Sequence, residues 1–228
     1  MNNPARCESR RDMIEFDCLA LDAMGVIYQS GDDVTDLLIP FVTANGGSGD
    51  HDLIERTYVS ASLGEIRAER FWREVGLDPA LEDEYLRRHR LADGVGDLLR
   101  DARRHGLEVC CISNDVSEWS RKLRRRFQLE SDIGSWFVSG DVGVRKPDRA
   151  IYDIALAESR CEANRMLFVD DRIKNLDAAR AVGIATAHLS ATPVAGGDHR
   201  QFASIADVSA LFWKSRPDLM PEHRQSEA

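Results

Sequence analysis

Apolar positions follow two rhythms along this chain. Short runs of consecutive apolar or β-branched residues stand at 16–22, 107–113, 135–138, 166–170 and 184–189. Runs of that length read as strands buried on both faces. Between them lie stretches with helical spacing: Val95–His105, Val116–Phe127, Asp148–Ala157 and Asn175–Val182. Gly106 and Gly183 stand where a glycine closes a helix. Strand and helix alternating in this way predict an α/β protein with a doubly wound parallel sheet, its sites at the carboxyl ends of the strands.

One region breaks the alternation. From about Asp33 to Arg90 helical patterns follow one another without a strand, at Val34–Val42, Asp52–Ser60, Ile66–Val75 and Leu81–Arg90. Leu37, Leu38, Ile39 and Phe41, then Phe71 and Trp72, supply an apolar face for a small bundle. A helical insertion directly after the first strand reads as a lid. The expected organisation is an α/β core over 14–30 and 92–214, a helical cap over 31–91, and polar tails at 1–13 and 215–228.

Bulk properties narrow the partners. The 228 residues carry a net charge of −9, which argues against nucleic acid or an anionic membrane as partner. Any phosphate site must then be a small, locally positive pocket in an acidic protein. Cys7, Cys18, Cys110, Cys111 and Cys161 form no CxxC spacing, so neither a zinc site nor a disulfide frame is indicated. No run is long enough to span a bilayer and Met1–Met13 is polar, so a cytoplasmic location is the expectation.

The chemistry concentrates at four strand ends. The run Leu19–Leu21 delivers Asp22, and Gly25 lets the backbone turn sharply behind it. An aspartate so placed can attack phosphorus and carry a phosphoryl group as an acyl phosphate, although a lone strand-end aspartate is more often a cap or turn former. Ser113-Asn114 places a hydroxyl and an amide at the end of the next strand, and Arg145-Lys146-Pro147-Asp148 places a cation before a helix start. Each has a plain alternative, a helix cap for Ser113 or Asp115 and a solvated lysine for Lys146. Asp170-Asp171 ends a further strand in paired carboxylates, with Asn175 shortly after. Together with Asp22 they form an all-oxygen cluster suited to Mg²⁺.

In this order the motifs resemble the haloacid dehalogenase superfamily: Asp22-Ala23-Met24-Gly25-Val26, Ser113-Asn114, Lys146-Pro147, then Asp170-Asp171 with Asn175. The stretch from Val138-Ser139-Gly140 to Ile151-Tyr152 is similar to the subgroup with a helical cap between the first two motifs. The resemblance spans about 15–190 and implies that Asp22 is the nucleophile. It also implies that Ser113 and Lys146 bind the transferring phosphoryl group, with Asn114 beside them. Asp22, the Met24 carbonyl, Asp170 and Asp171 would hold Mg²⁺, with Asp171 a direct ligand and Asp170 acting through water or Lys146. Asn175 would orient one of those acids.

Met24 departs from the pattern. The family usually has a second aspartate there that shuttles the proton, and methionine cannot. Dehalogenases carry a tyrosine at this position and need no metal; phosphonate-cleaving members carry an alanine and ion pumps a threonine. Retention of both Asp170 and Asp171 favours a metal-bound phosphate, and residues 33–105 contain no lysine for a phosphonate-cleaving Schiff base. The resulting expectation is a Mg²⁺-dependent hydrolase of a small phosphate monoester, slowed by Met24. A haloacid dehalogenase-like hydrolase and a catalytically weakened phosphate binder stand as alternatives. Asp115 or Glu118 would be a substitute carboxylate, Arg67 would hold a second anionic group, and Gly64 and Trp72 would lie near the substrate.

Overall fold

The computed structural model of the protein describes residues 16–192 and 197–215, so the expected tail at 1–13 lies outside the described residues, as does that at 215–228 except for Ser215, which ends the last helix. After strand β1 (Cys18–Leu21) the chain enters a π-wound turn, Val34–Leu38, that runs into α1 (Ile39–Ala44). Helices α2 (His51–Ser62), α3 (Ala68–Glu74), α4 (Glu82–Leu86) and α5 (Val95–Arg104) follow before β2 (Glu108–Ser113). Next come α6 (Ser117–Arg126), β3 (Ser135–Val138), α7 (Ser139–Val142) and α8 (Arg149–Ser159). Strand β4 (Met166–Asp170), α9 (Ile173–Ala181), β5 (Ala185–Leu189), β6 (Arg200–Phe202) and α10 (Ile205–Ser215) complete the described chain. The strands form one six-stranded sheet, ordered β3-β2-β1-β4-β5-β6, with every neighbouring pair parallel.

Alternation along the strands sorts the core into two layers. Leu19 and Leu21 of β1, Cys111 of β2 and Leu167 and Val169 of β4 face one layer, packed with Leu98 and Leu99 of α5. Cys18, Ala20, Cys110, Ile112 and Phe168 face the other, against Ile151 and Tyr152 of α8 and Leu176 of α9. Burial on both faces explains the unbroken apolar runs. Each fully buried leucine or phenylalanine contributes about 1.5–3 kcal/mol. Cys110 and Cys111 act as small apolar side chains here, at 2% and 0% exposure. Gly106 and Gly183 do close α5 and α9 with positive φ, 70° and 92°.

Two elements differ from the sequence pattern for local reasons. The helix expected over 81–90 stops at Leu86, because residues 90–92 are drawn back beside 27–29. Gln29 N–H donates to Arg90 O, and Ala92 N–H to Ile27 O, at 3.0 and 2.9 Å. The two chain segments that connect the helical region to the sheet are thereby laced to each other. Strand β6 has one apolar residue in three and no run to reveal it.

The helices between 34 and 86 are fastened to α6 by aromatic rings and one carboxylate. Trp72 of α3 and Tyr85 of α4 lie 5.4 and 5.1 Å from the Trp119 ring of α6, centroid to centroid. Glu82 Oε2 accepts from both indoles, Trp72 Nε1 at 3.0 Å and Trp119 Nε1 at 2.9 Å. Lys122 pairs with the same carboxylate at 2.8 Å. Glu82→Ala leaves two buried indole N–H groups without an acceptor, each costing about 1–3 kcal/mol. A stability loss of about 2–5 kcal/mol is expected from urea unfolding followed by tryptophan fluorescence. A loss below about 1 kcal/mol would show that the indoles find other acceptors.

Candidate active site

The carboxyl ends of β1, β2 and β4 meet where the sheet's strand order reverses, a standard place for a site in an open α/β sheet. Leu21 is level with Cys111 on one side and Val169 on the other, so Asp22 and Asp170 emerge side by side. Between them sits one cation: Lys146 Nζ lies 2.7 Å from Asp22 Oδ1 and 2.8 Å from Asp170 Oδ2. The ammonium is almost wholly buried and rests 5.2 Å from the centre of the Phe168 ring. Burial works against the ammonium form, but Asp170 and Asp22 hold its pKa above the usual lysine value.

Asp170 is saturated. Besides Lys146, it accepts from Asn175 Nδ2 at 3.2 and 3.0 Å and from Arg172 N–H at 2.7 Å. Asp171 is not: its Oδ1 is buried and has no partner among the described residues. Its Oδ2 lies against bare backbone, where a Cβ at Gly25 or Gly31 would stand 2.5 or 2.6 Å away. Gly25 also adopts a φ of +78°, so glycine there meets both the turn and the close approach. Carboxylate oxygens of Asp22, Asp170 and Asp171 fall within 4.8 Å of one another. Burial raises Asp22 to about 8, against the pull of Lys146 and with a push from Asp170. Burial and Asp170 raise Asp171 to about 6. Three carboxylates around one ammonium, one of them with an unpartnered buried oxygen, fit a hard divalent cation.

The turn after Asp22 leaves a further oxygen available. Ala23 N–H donates to Asp22 Oδ1 at 2.6 Å, and the Ala23 carbonyl accepts from Ile27 and Tyr28. Gly25 N–H closes on Tyr28 O at 2.9 Å, and none of these bonds uses the Met24 carbonyl. Met24 itself is 7% exposed and lines the cavity in front of Asp22. That cavity is about 360 Å³, and its wall includes Asp22, Ser113 and Lys146.

Of the other residues singled out in the sequence, Ser113 lies on that wall with its buried Oγ unpartnered among the described residues. Asn114 lines the same wall, and its amide also holds Lys146 in place. Its Nδ2 donates to Lys146 O at 2.8 Å and its Oδ1 accepts from Lys146 N–H at 2.7 Å, so the amide clamps the lysine's backbone. Arg67 is corrected outright. Its side chain is 87% exposed and pairs with Glu118 at 3.4 Å, away from the cavity wall. Trp72 is fully buried among aromatic rings, and Gly64 lies against the backbone of Gly140. Their place in the helical bundle, not ligand contact, accounts for both.

One arginine on the wall is Arg145, next to Lys146 in the chain. Its guanidinium lies 5.5 Å from the Tyr58 ring centre and bonds to Ser62 Oγ. Among the described residues it makes no ion pair. Asp33, Tyr58, Arg172 and Lys174 also reach the wall. No sequence motif marked them: Asp33 and Tyr58 come from the helical region and Arg172 and Lys174 from the start of α9, and only the fold assembles them.

The model of the haloacid dehalogenase-like hydrolases matches residues 16–183. Among curated proteins, the chain is 32% identical over 93 residues to the sesquiterpene phosphatase AstK of Aspergillus oryzae, covering 41% of this chain and 47% of that protein. It is 28% identical over 127 residues to a phosphoglycolate phosphatase of Pseudomonas syringae pv. syringae, covering 50% of this chain and 46% of the relative. The matched stretch thus spans just under half the length of either relative. Among solved structures, a HAD family enzyme, bt-2542, from Bacteroides thetaiotaomicron, in complex with magnesium and inorganic phosphate, superposes with a TM-score of 0.68. The identity there is 16%, with 79% of this chain and 98% of that chain covered, a likeness of fold.

Arg67 and Arg145 make opposite expectations. Arg67→Ala should change stability by less than about 1 kcal/mol, as for an exposed ion pair. It should also leave the calorimetric affinity for a phosphate ester that carries a second, carboxylate group unchanged, whereas Arg145→Ala weakens it about tenfold or more, the loss of one charge-assisted hydrogen bond. Weakening by Arg67→Ala instead would return Arg67 to the site.

Proposed function

The chain belongs to the haloacid dehalogenase-like hydrolases, and on that premise we propose that it hydrolyses a small phosphate monoester with Mg²⁺, through an aspartyl phosphate on Asp22. The observation that carries this reading is the orphaned Asp171 oxygen beside Asp22 and Asp170, an excess of buried negative charge that asks for a cation. Phosphatases among the relatives, and a structural neighbour holding magnesium and inorganic phosphate, support it. A haloacid substrate is disfavoured by the same charge count, since its carboxylate would face three carboxylates and one ammonium.

The roles follow from the geometry. Asp22 Oδ attacks phosphorus. Lys146 holds Asp22 in place and offsets charge on the transferring group, while Asn114 fixes Lys146 and Asn175 fixes Asp170. The free Ser113 hydroxyl donates to a phosphoryl oxygen. Asp22, Asp171 and the Met24 carbonyl would hold Mg²⁺, with Asp170 in support; bound there, the ion would neutralise and orient the phosphoryl oxygens. Arg145 receives a second anionic group of the substrate. The helices between 34 and 86 serve as a cap that shields the site from water. No helix among the described residues is long and apolar enough to cross a membrane.

Asp22→Asn should abolish Mg²⁺-dependent release of phosphate from small phosphate esters while leaving the circular dichroism spectrum unchanged. EDTA should do the same to the native protein, and added Mg²⁺ should restore it. Full turnover in metal-free buffer, or halide release from a haloacid, would overturn the reading; phosphate binding without turnover would leave a binding protein. For the metal itself, Asp170→Ala should weaken Mg²⁺ binding about 10–100-fold, as loss of an outer support does. Asp171→Ala should weaken it more, as read by calorimetry. The reverse order would exchange the two roles.

A further inference from the structure

Met24 leaves this site without a proton carrier beside Asp22, and the cavity wall supplies another carboxylate. Four carboxylate residues line it: Asp22, Asp32, Asp33 and Glu55. Asp32 and Glu55 are exposed, so only Asp22 and Asp33 are buried there. Asp33 is 5% exposed and opens the helical turn Val34–Leu38, the position at which an aspartate ordinarily caps a helix. Its side chain makes no capping bond. Its Oδ2 instead stands 3.5 Å from the Tyr85 hydroxyl, and no cation lies within ion-pair distance among the described residues. A buried carboxylate that neither caps nor ion-pairs, and whose side-chain partner is one long hydrogen bond donated by Tyr85, carries a desolvation cost that this contact offsets only in part.

The carboxylates suggested by sequence are committed elsewhere. Asp115 is 1% exposed, off the cavity wall, and its Oδ1 accepts from Val116 N–H at 2.7 Å. Glu118 pairs with Arg67. We propose that Asp33 is the general acid and base of this site, delivered from the cap side of the cavity in place of the residue at position 24. This rests on the phosphoryl-transfer reading above.

In the first step Asp22 Oδ bonds to phosphorus and the bond to the ester oxygen breaks. The Asp33 carboxyl gives its proton to that oxygen, which leaves as the alcohol. In the second, water attacks phosphorus, its proton passes to the Asp33 carboxylate, and the Asp22–phosphorus bond breaks to release inorganic phosphate. Both groups return to their starting state.

The surroundings of Asp33 tune it for this work. Burial raises its pKa to about 6; Asp32 adds to the rise, and Arg172 and the Tyr85 hydroxyl oppose it. Tyr58 of α2 and Asp115 also face it, and their own values are raised in part by its charge. A carboxyl near 6 exchanges protons readily at neutral pH. The sign for stability follows. The folded state holds the Asp33 proton more tightly than the unfolded chain, so stability falls as pH rises from about 4 to about 6 and the penalty persists above.

Asp33→Asn separates the possibilities. With glycerol phosphate and Mg²⁺, kcat should fall about 10²–10⁴-fold with KM little changed. With p-nitrophenyl phosphate, whose leaving group needs no proton, the variant should release a rapid burst of p-nitrophenolate and then turn over slowly, because the phosphorylated Asp22 waits for a base. Thermal unfolding should show a Tm higher than wild type by roughly 5 °C at pH 8 and no difference at pH 4. Glycerol phosphate turnover within about threefold of wild type would overturn the proposal. So would a fall in Tm at pH 8 with kcat and KM degraded together, the mark of a structural prop. The wild-type enzyme and Asp22→Asn combined with Asp33→Asn are the controls for the underlying reading: if wild type turns over no phosphate ester, or the double variant keeps the burst, that reading fails with its dependent. A wild type that works while Asp33→Asn matches it removes Asp33 alone.

Discussion

The ammonium of Lys146 between the carboxylates of Asp22 and Asp170 is the interaction on which the rest of this structure turns. It joins the ends of two central strands through a residue that arrives from a third place in the chain, and all three partners are buried. Such a group is costly to desolvate, and removing one member leaves a buried charge worth about 3–5 kcal/mol of instability. The surrounding bonds all serve to hold it. Asn114 grips the Lys146 backbone from the end of β2, and Asn175 grips Asp170 from α9. Every strand end at the switch point therefore contributes to a single charge cluster.

With Asp171 the cluster is left two positive charges short, and that shortage organises the space around it. Asp171 is pressed against Gly25 and Gly31, where a side chain would displace it, with one oxygen unsatisfied. Gly31 also gives its carbonyl to Arg172 at 2.7 Å, so the segment leading to the helices is tied to the residue that follows the paired acids. The position of the helical region and the position of the acids are thus coupled through backbone contacts. On the far side, the Glu82 carboxylate with its two indoles and the pairing of residues 27–29 with 90–92 fasten the same helices to the sheet.

Met24 changes the chemistry of the cavity without changing this frame. Its carbonyl keeps the same freedom that any residue would have there, while its side chain makes the wall in front of Asp22 apolar. Loss of a carboxylate at that point also relieves a cluster that already crowds three of them within 4.8 Å. Asp33 lines the same cavity, beside Tyr58, Tyr85 and Arg172.

The sheet was legible because burial on both faces writes itself as unbroken apolar runs, and the ends of those runs named Asp22, Ser113, Asp170 and Asp171. The order of these residues along the chain, with Lys146-Pro147 between them, was enough to identify the family. What the sequence could not reveal was any pairing set by distance through space. Arg67 and Arg145 are equally basic in the chain, but one lies on the outer surface of α3 and the other on the cavity wall. Asn114 reads as a ligand group, and only the fold shows that its amide also clamps the backbone of Lys146. Asp33 reads as an ordinary helix start, and only the packing of α2 and α4 around it turns its carboxylate from a cap into a buried group on the cavity wall. Strand ends are determined locally, by where apolar side chains stop. Which polar group remains unpaired is determined by every neighbour at once, and that is a property of the tertiary structure alone.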